Sequence, residues 1–416
     1  MSDTIAVEVA VVGAGPVGGT LALRLAEAGI ATAIIDRAPL PPMEHPAFDG
    51  RAYAIAAGSR RLLEEAGLWR RLPDPPGAIS DIRISDGKVG RPASPLFLHF
   101  DSAEIGRDAG DGAAFGWMVE ARSLRRALNA ALAEGPLPGR PLHVFAPAEA
   151  TISRGESGAE IALAEGTRIS CRLVIAAEGR ESPLRRAARI PVTRFPYRQS
   201  GLVAAIAHEY PHHETALEHF LPAGPFAQLP MAANEAAEHV SAVVWTERPA
   251  LAAHLMTLDD AAFGAEIARR LGDHLGALRP IGRRWLYPLS ALYAHRYFDQ
   301  RLVLVGDAAH GIHPIAGQGL NLGFRDAITL ADLIIAAAAR GEDPGDPALL
   351  LRYQRARRGA NLLMLAATDA LDRLFSNDIP PLRLARDLGI AMVHRLPPLK
   401  RFFMRQAMGG GSFAQG

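Results

Sequence analysis

Val7 to Val12 is a short apolar run that leads straight into Gly13-Ala14-Gly15-Pro16-Val17-Gly18, after which Leu21, Leu25 and Ala28 recur at helical spacing up to Gly29. A strand, a Gly-x-Gly-x-x-Gly turn and a helix in that order are a cradle for a pyrophosphate. The first glycine permits the tight turn, the second lets phosphate approach the backbone, and the third brings helix and strand together. The N–H groups and partial positive charge at the start of the helix then face the anion. A second apolar run, Ala31 to Ile35, closes on Asp36, 21 residues after Gly15. An acid at that place accepts hydrogen bonds from an adenosine ribose. The unit predicts a parallel α/β fold from the N-terminus onward. By itself it leaves NAD and FAD open: Pro16 suits either ligand, and Asp36-Arg37 mildly disfavours a simple dehydrogenase.

Composition sets bounds on the rest. The 416 residues are 49% hydrophobic and 21% charged, the balance of a globular chain with a large core. By length the chain has two domains or more, at ~150 residues each. With 45 basic and 44 acidic side chains the net charge is +1, which argues against a protein that grips nucleic acid by its phosphates. The single cysteine, Cys171, excludes an internal disulfide framework and a cysteine-based zinc site. It fits a reducing cytoplasm. Met1-Ser2-Asp3-Thr4 lacks the basic segment of a secretory signal. Leu333 to Ala339, ending at Arg340, predicts a packed helix rather than a membrane span.

Along the chain, Ser59 to Leu68 and Val119 to Leu132 predict helices, and Ile79 to Ser85 alternates as a half-buried strand does. Short strands follow from Leu142 to Ile169, then a buried strand from Leu173 to Ala177. Residues 192–285 change texture. Leu202 to Ala207 and Val240 to Trp245 suggest an antiparallel sheet, with a helix over 259–271. The apolar strand Leu302 to Val305 and a long helix from Gly319 to Ala339 then resume the first domain, and 346–416 suggests helices separated by Pro380-Pro381 and Pro397-Pro398. The expected division is therefore a discontinuous nucleotide domain of residues 1–78, 106–191 and 286–345, a substrate domain of 79–105 and 192–285, and a helical C-terminal region of 346–416.

The resumed segment carries a second ligand loop. Gly306-Asp307 ends a buried strand, and His313-Pro314-Ile315-Ala316-Gly317-Gln318-Gly319-Leu320-Asn321 leads into the long helix. A second cradle some 300 residues after the first implies a long, bipartite ligand. Asp307 suits a polyol chain, and the 317–321 amides suit an electron-accepting ring. That pair of sites matches FAD, with its ADP half at Gly13 to Asp36.

Gly306-Asp307-Ala308-Ala309-His310 followed by His313 to Gly323 resembles the flavin signature of group A aromatic hydroxylases, and more narrowly that of the ubiquinone-biosynthesis hydroxylase family. Asp49 to Ala56 resembles that family's arginine-bearing segment, Val119-Glu120-Ala121-Arg122 its helix start at FAD, and Phe220 to Pro230 its substrate-sheet hairpin. The resemblance spans about residues 5 to 400. It implies an FAD-binding Rossmann-like domain interleaved with an antiparallel-sheet substrate domain and a helical tail. It implies FAD held by Gly13, Gly15, Pro16, Val17, Gly18, Asp36, Arg37, Arg51, Arg122, Glu178, Gly179, Gly306, Asp307, Pro314, Gly317, Gln318, Gly319, Leu320 and Asn321. The implied activity is hydroxylation of a polyprenylated phenol with O2 and NAD(P)H, the nicotinamide visiting without a Rossmann domain of its own. No general base is assigned; Pro314 and His310 are the candidates at the ring. The family's Ala-Asp-Gly segment is here Ala177-Glu178-Gly179, which puts the contacts to the electron donor in doubt.

Other residues have blander readings. His310 and His313 lack further ligands at a metal-site spacing, so no metal is expected. His212, His213 and His219 suit polar strand or loop positions, and Cys171 an inert core thiol. Arg185-Arg186 and Arg283-Arg284 suit solvated faces or loop contacts, a nicotinamide phosphate being the alternative. The tail from Arg395 to Arg405 mixes basic and apolar residues. Packing against the FAD domain and contact with a membrane or a partner are both open, so the expected location is the cytoplasm with peripheral contact at the inner membrane. Partners in a ubiquinone-biosynthesis complex and the oligomeric state stay open. A small soluble phenol as substrate, and a structural subunit that only holds FAD, remain alternatives.

Overall fold

The computed structural model describes residues 4–40, 48–90, 97–105, 114–312, 317–375 and Met404. His313, Pro314 and the prolines expected to divide the tail lie outside them. Two sheets dominate. The first has six strands in the order Phe298–Asp299, Leu302–Leu304, Leu173–Ala176, Val9–Val12, Thr32–Ile35 and Leu142–Phe145. All neighbours are parallel except the first pair. The central strands are buried on both sides, which is why they are continuous apolar runs rather than alternating ones. Helix Pro16–Glu27 lies against this sheet with Leu21, Leu23 and Leu25 fully buried. Each such leucine contributes about 1.5–3 kcal/mol by leaving water.

The second sheet has eight strands: His310–Gly311, Leu278–Ala294, Val192–His208, Val240–Glu247, Gly224–Met231, Thr215–Leu221, Asp81–Asp86 and Phe97–Asp101. It is antiparallel except where Thr215–Leu221 runs parallel to Asp81–Asp86. Helices Pro249–Leu255 and Asp260–Leu271 cover one face, with Trp245, Phe226 and Phe263 buried between. The other face carries an apolar cluster that includes Phe100, Phe220, Met231 and Met404. Met404 thus belongs to the cluster on this face, which also takes in Phe48, Phe115 and Met118. Strand Leu278–Ala294 joins both regions, because its last residues pair with His310–Gly311 beside the ligand loop. Helices Gln318–Ala339 and Pro347–Phe375 complete the first region, and the Tyr353 hydroxyl donates to the Leu304 carbonyl at 2.9 Å. Among the described residues no helix is long and apolar enough to cross a membrane.

Three local expectations need correction. The helix expected from Val119 starts at Ala121, because Gly116–Glu120 is a strand paired with Ala52–Ala56. The strand expected over Ile79 to Ser85 is two strands in different sheets, Gly77–Ile79 and Asp81–Asp86. The break falls at Ser80, whose N–H donates to the Glu214 carbonyl. Of the two readings given to Arg185, solvation fails and loop contact holds: it is 1% exposed and donates to the carbonyls of Ala308 and Arg180. Its neighbour Arg186 does face solvent. Cys171 is buried, and burial pushes its thiol up to about 12, as suits an inert core residue.

Candidate cofactor site

A cleft of about 1120 Å³ opens along the C-terminal ends of the parallel strands. Its wall includes Gly13, Gly15, Pro16, Val17, Asp36, Arg37, Glu178, Gly179, Asp307, Gly317, Gly319 and Leu320, so residues far apart in sequence converge on one space. Such a crevice is where open parallel sheets bind ligands.

The glycine turn shows why each position is bare. Gly13 has φ 109°, and a Cβ there would lie 2.4 Å from the Ala177 carbonyl oxygen. On Gly18 it would lie 2.1 Å from the Gly13 oxygen. These two glycines let helix, turn and neighbouring strand meet. Gly15 differs: a Cβ would meet no protein atom within 4 Å. Its bare face opens on the cleft, the place for a ligand to approach the backbone. Gly15 also precedes helix Pro16–Glu27, and no side chain caps that N-terminus. Asp36 braces the turn by accepting from the Ala14 N–H at 2.6 Å and the Ala38 N–H at 2.9 Å.

A second uncapped N-terminus borders the same cleft. Gly317, at φ 62°, precedes helix Gln318–Ala339. Asn321 ties this end to strand Ala52–Ala56: it accepts from the Ala56 N–H at 2.9 Å and donates to the Ala54 carbonyl at 2.8 Å. Asn321 therefore holds the loop from behind rather than lining the cleft. The Gln318 side-chain oxygen is buried with no hydrogen-bond partner among the described residues. Gly306 is also set back, packed near Val17 and Gly323.

Asp307 stands half exposed at the cleft. The protein around it desolvates its carboxyl and raises its pKa, against the opposing charge of Arg180. Arg180 Nε lies 3.5 Å from the Asp307 carboxylate, and its other nitrogens donate to the Ser290 hydroxyl and carbonyl. The sequence did not single out Arg180, although it directly follows the Glu178-Gly179 segment. Burial likewise raises the Glu178 pKa, opposed by hydrogen bonds from the Ser182 hydroxyl at 2.6 Å and the Leu184 N–H at 3.1 Å. Glu178 thus braces the start of helix Pro183–Ala187 while lining the cleft.

Three expected ionisable side chains are not on the cleft wall either. Arg122 is buried in ion pairs with Glu120 and Glu235, both at 2.6 Å. One turn further on, Arg125 reaches the glycine turn instead and donates to the Ala14 carbonyl at 2.9 Å. Arg51 pairs with Asp49 at 2.5 Å and lies 4.1 Å over the Trp285 ring. His310 is 1% exposed, and its Nε2 sits 2.5 Å from Asp326. It belongs to a buried network behind the loop. Asp326 also accepts from the Gly306 N–H, Arg357 and Asn361. Burial alone would raise the Asp326 pKa, but His310 and Arg357 hold it far below the ordinary carboxylate range.

The chain matches the FAD binding domain family over residues 6–93 and 141–367. It is 48% identical to the ubiquinone hydroxylase UbiL of Rhodospirillum rubrum, over 98% of this chain and 90% of that protein. It is 35% identical to the 3-demethoxyubiquinol 3-hydroxylase of Escherichia coli, over 97% of this chain and 98% of that one. Among solved structures, p-nitrophenol 4-monooxygenase PnpA of Pseudomonas putida shares the fold with a TM-score of 0.75 at 18% identity, covering 99% and 100% of the two chains.

Proposed function

Because the chain belongs to the FAD binding domain family and, within it, to the ubiquinone hydroxylases, we propose that it hydroxylates the aromatic ring of a polyprenylated phenol in ubiquinone biosynthesis, with O2 and with NAD(P)H as electron donor. One observation carries the cofactor half of this proposal: two uncapped helix N-termini, at Gly15 and Gly317, border a single cleft that Asp36 and Asp307 also line. The bare face of Gly15 leaves room for the pyrophosphate of FAD. The amides behind Pro16 stabilise its charge. Asp36 would receive the ribose hydroxyls, and Asp307 the polyol chain. The amides at the start of helix Gln318–Ala339 would stabilise negative charge on the flavin half of the cofactor. Bound FAD supplies the redox chemistry with O2. The apolar cluster on the large sheet, which packs against Ala52 and Ala54 of the cleft wall, would help to exclude water from the bound cofactor.

The discontinuous domain division belongs to the same proposal, with the large sheet as the substrate wall. So does a cytoplasmic enzyme in transient contact with the inner membrane, since a polyprenylated substrate resides there. Arg186, exposed at the cleft, suits the visiting nicotinamide phosphate better than Arg185, which is consumed by carbonyls.

A strain lacking the gene should accumulate a polyprenylphenol short of one ring hydroxyl, and complementation should remove it. Unchanged quinone levels in a background with no redundant hydroxylase refute the proposal. At the cofactor, Asp307→Ala is expected to weaken FAD binding at least tenfold, about 1.4 kcal/mol. Retention of wild-type affinity in an equilibrium titration removes the role given to that carboxylate.

A further inference from the structure

The large sheet carries a buried acid that none of these roles uses. Along Thr215–Leu221, Ala216 and Phe220 belong to the apolar cluster on one face, while Leu217 and Leu221 pack on the opposite face. Strand alternation therefore puts Glu218 on the face of Ala216 and Phe220. Register seats it between Ile84 and Ala227. The row extends outward to Leu98 and, in the other direction, through Val244 and Val203 to Trp285, the ring under Arg51. The same apolar cluster packs against Ala52 and Ala54, which line the cofactor cleft. Glu218 is thus an ionisable side chain in an otherwise apolar row that ends beside the flavin domain.

No hydrogen bond or opposite charge satisfies it among the described residues, and burial alone pushes its carboxyl up to about 7. Asp86, diagonal to it on the same face, has an interaction of its own. An acid left without a partner in apolar surroundings is costly. Natural cores keep one only rarely, and the cost is recovered when a polar group arrives. Glu218 retains 9% of its surface, so the residue is not wholly enclosed.

We propose that Glu218 anchors the ring hydroxyl of the phenolic substrate by a hydrogen bond on this apolar sheet face. The inference rests on the proposed function for the nature of the substrate. A prenylated phenol is apolar except at its ring oxygens. An apolar wall alone would bind it in several orientations, whereas one buried hydrogen-bonding group selects the orientation and so the ring carbon presented to the flavin.

The test is an equilibrium one and needs no turnover. The FAD-loaded wild type, Glu218→Leu and Glu218→Gln are titrated with a short-chain prenylphenol and with its methyl ether, following the flavin absorption spectrum. The wild type is expected to prefer the phenol about tenfold. Glu218→Leu should lose that preference while binding the ether as the wild type does, and Glu218→Gln, which can still hydrogen-bond, should keep much of it. Equal preference for the phenol in wild type and Glu218→Leu overturns the inference, as does a wild type that does not distinguish phenol from ether. Should Glu218→Leu fail to hold FAD, Glu218→Gln decides by the same ratio: a preference at or above the wild type's, or none at all, counts against the hydrogen bond. Discrimination of phenol from ether with unaltered quinone levels in the deletion strain would separate failure of the biosynthetic assignment from failure of the anchor.

Discussion

Asp326→Ala is expected to lose about 3–5 kcal/mol of folding stability, because it leaves buried charge and donors without their acceptor. Asp326 is wholly buried. Its two oxygens serve the Gly306 N–H at 3.1 Å, His310 at 2.5 Å, Arg357 at 2.8 Å and Asn361 at 3.0 Å. Removing the carboxylate strands the Arg357 guanidinium in the interior and frees the turn that presents Asp307. FAD affinity should fall with stability, although Asp326 does not line the cleft. Denaturant unfolding of the FAD-free protein measures the first effect, and a loss under about 1 kcal/mol contradicts the assigned network. The pH dependence has a definite sign. The folded-state pKa of Asp326 lies below its unfolded value. Its contribution is therefore complete above the unfolded value of about 4 and is lost as pH falls toward the folded value. The stability gap between wild type and Asp326→Ala should narrow in acid.

The glycine turn gives the second large effect, and its positions should part company. Gly18→Ala puts a Cβ 2.1 Å from the Gly13 oxygen and 2.7 Å from the Ala177 Cβ. Relief requires backbone to move in the centre of the nucleotide domain, so both stability and FAD binding should fail. Gly15→Val places its Cβ where no atom beyond the chain neighbours lies within 4 Å. The FAD-free protein should therefore keep its stability to within about 1 kcal/mol, while FAD affinity drops about a hundredfold or more from loss of the close approach to phosphate. Thermal unfolding without cofactor, together with flavin titration, separates the two. A Gly15→Val protein that binds FAD normally would move the pyrophosphate away from this turn.

The legible part of the site was local. Gly13, Gly15, Gly18 and Asp36 are read from one strand–turn–helix–strand unit, and Asp307 and Gly317 from another. Their spacing is set by chain geometry, so the converging cleft follows once both units sit on one sheet. Charged side chains were harder. Arg122 was expected at the cofactor because Val119-Glu120-Ala121-Arg122 resembles a helix start at FAD, and a helix does begin there, at Ala121. It is Arg125 that reaches the glycine turn, while Arg122 turns to Glu120 and Glu235.

His310 shows a different gap. Beside a flavin loop it has the chemistry of a base, and its removal from the cleft depends on Asp326, 16 residues on, and on Arg357 and Asn361 from another helix. No local pattern reports that pairing. Glu218 is similar: alternation can be counted along its strand, but which face is apolar is known only after Ile84 and Ala227 are set beside it. By itself the sequence determined the fold class and the backbone of the cofactor cradle, because turns, helix starts and buried strands are written in neighbouring residues. The tertiary structure alone decided which charged side chains face the cleft and which are consumed behind it. Helix phase, strand register and ion pairing are settled by contacts between segments distant in the chain.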